Sequence, residues 1–258
     1  HRHSSTGGIS AVDARAGSPP VGARIAAHRA RPVAVGSASR HPVAVTKPDP
    51  DPAFDEPRRV GVGPHPQPWP DDSRLDPELL ANGDQRNVVD RYRYWRTEAV
   101  KADLDERRHP FHVAIENWQH DLNIGSIVRT ANAFLAEEVH IVGRRRWNKR
   151  GAMVTDRYQH VRHHPDVDAL IAWAAEADLE VVAIDNTPSS QPIESVELPR
   201  RVLLLFGQEG PGLTDEASAG ASATYSIAQY GSTRSINASV AAGIAMHAWI
   251  RSHAESLG

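Results

Sequence analysis

Cysteine is absent from the 258-residue chain. That excludes disulfides and thiolate metal centres, and it is compatible with the reducing cytoplasm, where the protein is expected to reside. Also missing is any stretch of roughly 20 consecutive apolar residues of the kind a spanning helix needs, and the start lacks the apolar core of a signal peptide. The chain therefore reads as soluble. It has little excess of either charge: 29 Lys and Arg stand against 32 Asp and Glu, a net charge of −3. The sum argues against a uniformly basic nucleic-acid binder, but the distribution leaves room for a local basic surface. Basic residues gather at Arg91, Arg93, Arg96 and Lys101, at Arg107 and Arg108, and most densely at Arg144, Arg145, Arg146, Lys149 and Arg150 around Trp147. Such a cluster suits a phosphate backbone or, equally, a solvated surface.

Apolar periodicity is sparse over residues 1–84, which are rich in Pro, Ala, Gly, Ser and Arg, with runs such as Lys47-Pro48-Asp49-Pro50-Asp51-Pro52 and Gly63-Pro64-His65-Pro66. A segment of that composition buries too little apolar surface to offset its conformational entropy, so a mostly disordered extension is expected. Residues 85–109 read as a helical extension, with Val88, Val89, Tyr92, Trp95 and Val100 near helical spacing over 85–106.

Residues 110–258 form the main domain. Strands are expected at 111–115, 139–143, 179–184, 202–206 and 224–227, and helices at 124–134, 166–177, 213–219 and 235–253. The alternation implies an α/β fold, a mostly parallel sheet with helices on both faces. Residues 144–150 then fall in a loop at the C-terminal end of a strand, the edge where open α/β sheets place ligands. His160, His163 and His164 form an H-x-x-H-H cluster, but without Cys or an acidic partner at ligand spacing no metal is assigned to it; a solvated or RNA-facing loop is the preferred reading.

Three segments carry chemistry. Asn123-Ile124-Gly125 precedes Arg129-Thr130-Ala131 at the start of a helix. Phe206-Gly207-Gln208-Glu209-Gly210-Pro211-Gly212 follows a buried strand, where its glycines allow close approach of backbone to a ligand. It lacks the Lys-Ser/Thr ending of a P-loop and the spacing of a dinucleotide fingerprint, so a nucleotide hydrolase is disfavoured. Ile227-Ala228-Gln229-Tyr230-Gly231 and Ser235-Ile236-Asn237-Ala238-Ser239 come last, with Ser235 and Asn237 also good N-cap residues.

In this order the segments resemble the three motifs of the SpoU/TrmH branch of the SPOUT RNA methyltransferases, over roughly residues 111–249. The resemblance implies a C-terminal deep trefoil knot, a homodimer, S-adenosyl-L-methionine as cofactor, and methyl transfer to a ribose 2′-hydroxyl of tRNA or rRNA. It assigns Phe206, Gly207, Glu209, Gly210, Gly212, Ile227, Gln229, Ser235, Ile236 and Asn237 to the cofactor. Arg129, Asn123, Glu209 and Asn237 are assigned to catalysis, with Arg144, Arg145, Arg146, Lys149 and Arg150 as the RNA contact. Arg129 would orient the 2′-hydroxyl and adjacent phosphate and stabilise developing alkoxide; as a base it would have to lose a proton from a guanidinium of pKa about 12.5 or more. Ala228 and Gln229 stand where the family has Pro and Met, and Leu135 where a Gly is common. The alternative reading is a non-catalytic RNA-binding or ribosome-assembly factor that keeps the fold.

Overall fold

The computed structural model describes residues 61–119 and 122–255, all within the unit Pro57–Gly258. Seven parallel strands lie in the order β3-β2-β1-β6-β4-β7-β5. They are β1 (Phe111–Asn117), β2 (Val139–Gly143), β3 (Val161–His164), β4 (Glu180–Ile184), β5 (Gln191–Pro192), β6 (Val202–Phe206) and β7 (Ala223–Ser226). The central strands β1 and β6 are buried along their whole length. This is why they read as unbroken apolar runs: both faces of the sheet are covered.

Alternate side chains sort the core into two layers. Phe111, Val113 and Ile115 of β1, with Leu204 and Phe206 of β6, pack under α3 (Ile124–Ala133) and α6 (Ala238–His253). Ala114, Leu203 and Leu205 face α4 (Val167–Glu176) and α5 (Asp215–Gly220). In α3 the buried residues Ile124, Ile127, Val128 and Ala131 follow the i, i+3, i+4, i+7 spacing of one helix face. Asp166 starts α4 by accepting a hydrogen bond from the Ala169 N–H, and Thr214 does the same for α5 with Ala217.

Several expectations need correction. Residues 85–106 are not one helix: a 3-10 turn at Asp90–Tyr92 is followed by α2 (Thr97–Asp105), and Tyr94 between them has φ 64°. A continuous right-handed helix cannot pass through that conformation. The fully buried Asp84 holds it there, accepting hydrogen bonds from the Tyr94 N–H and from Arg86.

Of the extension expected to be mostly disordered, residues 1–60 lie outside the described residues. The rest of it, 61–84, contains α1 (Pro77–Asn82) and is closed by the bridge Val62–Asp84, while the bridge Leu75–Trp95 reaches beyond it. Behind it Tyr92, Val100 and Leu104 pack on Tyr158. The Arg108 guanidinium, almost wholly buried, ties this layer to the sheet domain through Ala136 O, Gln159 Oε1 and Tyr158 O.

His163 and His164 belong to strand β3, not to a loop, and the three histidines do not converge. His160 pairs with Asp105, His163 donates from Nε2 to Gly143 O, and His164 Nε2 meets His140 Nδ1 at 3.0 Å. Among the described residues no helix is long and apolar enough to cross a membrane.

Candidate active site

Register places the ends of three neighbouring strands together. Ile115 of β1 pairs with Phe206 of β6, which pairs with Ile184 of β4. The loops leaving these strands therefore converge at one edge, the edge where an open parallel sheet holds ligands.

The loop after β6 is a tight turn closed by two backbone bonds, Gln208 N–H to Gly212 O and Gly212 N–H to Gln208 O, both 3.1 Å. Gly210 and Gly212 take φ of 99° and 76° within it. Gly207 is required for a different reason: a Cβ there would lie 2.1 Å from Gly212 C and 2.2 Å from Leu213 N. Gly207→Ala should therefore force the turn open and lower stability by about 1–3 kcal/mol, the usual range for overpacking. Thermal melts and amide exchange at residues 208–212 test this; an unchanged melt with protected amides would contradict it.

The turn is anchored to the loop after β1. Gln208 Oε1 accepts from the Trp118 and Gln119 N–H groups at 2.8 and 2.7 Å. Glu116, fully buried, accepts from the Thr214 N–H and hydroxyl and from the Trp118 indole. A buried carboxylate with this many donors is satisfied, and its role is to fix both loops.

Side chains from the three sequence segments meet directly. Asn237 Nδ2 donates to Asn123 Oδ1 at 2.8 Å, and Asn123 Nδ2 donates to Glu209 Oε2 at 2.7 Å. Asn237 also caps α6, its Oδ1 accepting from the Ser239 and Val240 N–H groups. One amide thus both caps α6 and reaches Asn123 at the cavity wall, while Ser235 lines the cavity and does not cap.

That cavity, about 340 Å³, lies between the turn after β6 and the start of α6, within the roughly 300–1,000 Å³ of small-molecule sites. Every residue assigned from the sequence to cofactor contact lines it. Ile184, Asp185, Asn186, Gln208, Pro211, Leu213, Ala238 and Ala241 complete the wall and were not assigned to cofactor contact from the sequence. Asp185 had a visible signal: it is an acid directly after the apolar strand β4, at the ligand edge. Its Oδ1 accepts from the Asn186 N–H at 2.7 Å.

Gln229, one of the departures from the family pattern, has its Oε1 buried with no hydrogen-bond partner among the described residues. An unpaired buried acceptor in the wall of a cavity is completed by a ligand that brings a donor. Amino groups of an adenine or an amino acid would meet that requirement, and the acid at Asp185 favours a cationic or hydroxyl-bearing ligand.

Arg129 is placed elsewhere. Six residues beyond Asn123 is about one and two-thirds helical turns, and Arg129 stands exposed on α3, outside the cavity wall. It makes no hydrogen bond or ion pair among the described residues.

The basic loop is close to the site through the backbone. Asn117 Nδ2 donates to Arg144 O and Arg146 O, which pins residues 144–146 at the end of β1. A Cβ at Gly125 would lie 2.7 Å from Ala152 N and 2.8 Å from Gly151 N, so only glycine lets α3 seat against the turn that follows the loop. Arg144, Arg145, Arg146 and Arg150 are exposed and make no ion pair among the described residues, whereas Lys149 pairs with Asp156 at 2.9 Å. By contrast Arg91 and Arg107 share Asp103, Arg93 pairs with Asp90, and Arg108 with Asp105. Much of the earlier basic cluster is thus neutralised within the fold.

A second polar assembly crosses the sheet away from the cavity. His112, His140 and His164 stand on adjacent strands, His112 Nδ1 to His140 Nε2 and His140 Nδ1 to His164 Nε2 each 3.0 Å, with Trp173 of α4 packed on all three rings. Burial pushes the His112 pKa down to about 4 and that of His140 to about 2, and lowers His164, with Arg162 adding to each shift. His112, Glu138 and His140 bring ligand-type atoms within 4.8 Å of one another. Both ring nitrogens of His140 are already hydrogen-bonded, however, and Glu138 takes Arg162 Nε at 2.9 Å, so the arrangement is a hydrogen-bonded chain of neutral imidazoles.

Comparison with known proteins covers the same region of the chain. The sequence profile of the SpoU rRNA Methylase family matches residues 110–247. The tRNA (guanosine(18)-2′-O)-methyltransferase of Thermus thermophilus is 29% identical over 161 residues, 58% of this chain and 80% of that one. The enzyme of that name from Escherichia coli is 28% identical over 150 residues, covering 57% and 66%. Among solved structures, the A. aeolicus TrmH/SpoU tRNA modifying enzyme superposes with a TM-score of 0.54 at 20% identity, over 61% of this chain and 82% of that one. A structure described as giving insights into the 2-OH methylation of C/U34 on tRNA has a TM-score of 0.50 at 25% identity, over 56% and 96%.

Proposed function

From the premise that this chain belongs to the SpoU rRNA methylase family, we propose that it is a cytoplasmic, homodimeric methyltransferase that methylates a ribose 2′-hydroxyl of RNA, with tRNA as the first substrate to test. The observation that carries the reading is the chain of contacts Asn237–Asn123–Glu209, which joins all three motif segments at the mouth of one cavity. The relatives named for tRNA guanosine methylation support the choice of RNA.

S-adenosylmethionine, when bound, supplies a methyl group on a sulfonium, a leaving group that needs no activation by the protein. Gly207 and the 208–212 turn would form one wall of its pocket, with the Asp185 carboxylate lying against the end of that turn, and Gln229 Oε1 would accept from an amino group of it. What remains for the chain is alignment of the ribose oxygen and stabilisation of the charge that develops there. Arg129 is the group for that charge, and the exposed Arg144, Arg145, Arg146 and Arg150, with Lys149, hold the RNA backbone.

Since Arg129 lies outside the cavity wall of its own chain, the proposal needs a second copy or the RNA itself to bring it into play. Exposed Val240 and Ile244, one turn apart on α6, offer an apolar face for pairing, 52% and 38% exposed. Beside them α6 crosses α3 where a Cβ at Gly243 would lie 3.8 Å from Thr130 Cγ2, next to Arg129. The threading of the C-terminal segment as a trefoil knot belongs to the same proposal, supported by cavity walls drawn from residues 184–186, 206–213, 227, 229, 235–238 and 241.

The test is transfer of label from isotopic S-adenosylmethionine to unmodified tRNA and rRNA, followed by nucleoside mass spectrometry. A labelled 2′-O-methylnucleoside is expected in tRNA. Label in rRNA alone would move the substrate, and no label in either, with cofactor binding intact, would favour the non-catalytic alternative.

A further inference from the structure

Within residues 227–241 the chain makes its longest departure from the cavity wall. Gln229 lines it and so does Ser235, but the residues between them, 230–234, are all exposed. The excursion is held at both ends: the Ala228 N–H donates to Glu194 Oε1 at 3.1 Å, and Asn186 Nδ2, from the cavity wall, donates to Arg234 O at 3.0 Å. At its start Tyr230 is 97% exposed, the largest exposure among the large hydrophobic side chains described. Its ring has no aromatic, cationic or hydrogen-bonded partner among the described residues, and Arg234 has no ion pair there.

A tyrosine normally buries 150–250 Å² on packing. A ring presented bare on a segment tied down at both ends is a contact surface waiting for a flat partner. The chemistry of the neighbouring site defines that partner. A nucleotide whose base is stacked within an RNA loop must be drawn out before its ribose hydroxyl can be aligned at the cavity, and that unstacking costs a few kcal/mol. An aromatic face beside the cavity offsets that cost, because unstacked bases are recognised by stacking on aromatic rings, with arginine taking base planes or phosphate.

We propose that Tyr230 and Arg234 form a platform at the cavity mouth, Tyr230 stacking on the base of the nucleotide to be methylated and Arg234 contacting its adjoining phosphate. The assignment rests on the methyl-transfer reading above and deepens it by naming how the target nucleotide is held. Stacking of this kind tolerates different bases, so the platform supplies affinity rather than base identity.

Wild-type protein, Tyr230→Ala and Tyr230→Phe are compared in three measurements: steady-state methylation of unmodified tRNA, affinity for that tRNA by fluorescence anisotropy, and affinity for S-adenosylmethionine by calorimetry. Tyr230→Ala should reduce kcat/KM for tRNA on the order of ten- to a hundred-fold, from the 1–3 kcal/mol that one stacked base contributes, mostly through KM. Tyr230→Phe should stay within about three-fold, since the π-face is kept, and cofactor affinity should be unchanged in both. Equal tRNA kinetics and affinity in Tyr230→Ala would overturn the platform. So would conversion of a dimer to a monomer by that substitution in light scattering, which would make Tyr230 a contact between copies. If wild-type protein transfers no methyl group, the methyl-transfer reading fails on its own, and the anisotropy comparison still decides whether Tyr230 holds RNA.

Discussion

Arg129→Ala should abolish most methyl transfer while leaving the cofactor pocket as it is. Loss of one preorganised donor aimed at developing negative charge typically costs about 10²–10³-fold in kcat, and that is the expected fall. Affinity for S-adenosylmethionine should stay within about two-fold, and stability within about 0.5 kcal/mol, the range for exposed residues without partners. Both expectations come from position: Arg129 is exposed, has no partner among the described residues and stands outside the cavity wall. Arg129→Lys separates charge from shape. A lysine keeps the positive charge but loses the planar fork that can hold a hydroxyl oxygen and a phosphate together, so it should recover little activity. Near-full turnover in Arg129→Lys would remove the fork from the mechanism. A matching loss of cofactor affinity in Arg129→Ala would instead assign Arg129 to the cofactor site.

The sheet was legible because its central strands are buried on both faces. The run Val202–Phe206 can hardly be anything but a core strand, and β2 agrees with its expected bounds to the residue. The start of α4 was legible because Asp166 announces it, whereas α1, capped by Asp76, was not expected, and α5 and α6 begin two and three residues later than expected, after the caps Thr214 and Asn237. Strand β3 escaped notice because its sequence, Val161-Arg162-His163-His164, has no apolar pattern. Its polar groups are satisfied only in three dimensions, His164 by His140 and Arg162 by Glu138. The break in the expected helix over 85–106 escaped for a similar reason, since no local pattern marks Asp84, which imposes it, as buried.

The candidate site shows the same division. The resemblance of the three segments to family motifs, together with the glycines after an apolar strand, indicated which residues would line a pocket. The links that assemble it were not readable: Asn123 meets Glu209 across 86 positions and Asn237 across 114. Nor could spacing alone separate Arg129 from the pocket, because the motif that pairs it with Asn123 says nothing about which face of α3 each residue takes. A motif records residues that act together at some stage of the reaction; the fold of one chain shows which of them touch before RNA or a second copy arrives.

Acidification should destabilise the folded protein well above the pH at which its carboxylates titrate. His112 and His140 have folded-state pKa values of about 4 and about 2, below the value of about 6.5 they take in an unfolded chain. As pH falls through 6.5, the unfolded state takes up protons that the folded state refuses, and stability declines until the folded-state values are reached. Each of these histidines should cost about 2 kcal/mol between pH 6.5 and pH 5, at 1.36 kcal/mol per unit, and His164, also lowered, adds in the same direction. The charged groups around the chain do not reverse this. Arg162 opposes protonation of all three rings and Arg201 that of His112, while Glu138 partly relieves only His164. Asp72, lowered to about 2 by the hydrogen bonds from Arg74, and Asp103, lowered chiefly by the Tyr92 hydroxyl, lose their contributions as pH falls further, so they leave the window above pH 5 to the histidines. Urea unfolding at pH 7.5, 6.5, 5.8 and 5 on the wild type and on His140→Gln is the measurement. The variant keeps a donor and an acceptor between its neighbours but cannot titrate, so its stability should be lower at pH 7.5 and fall less steeply toward pH 5. A wild-type stability that is flat over this range would mean that the three rings accept protons in the folded state, and that the neutral chain beneath Trp173 is not what holds strands β1, β2 and β3 together.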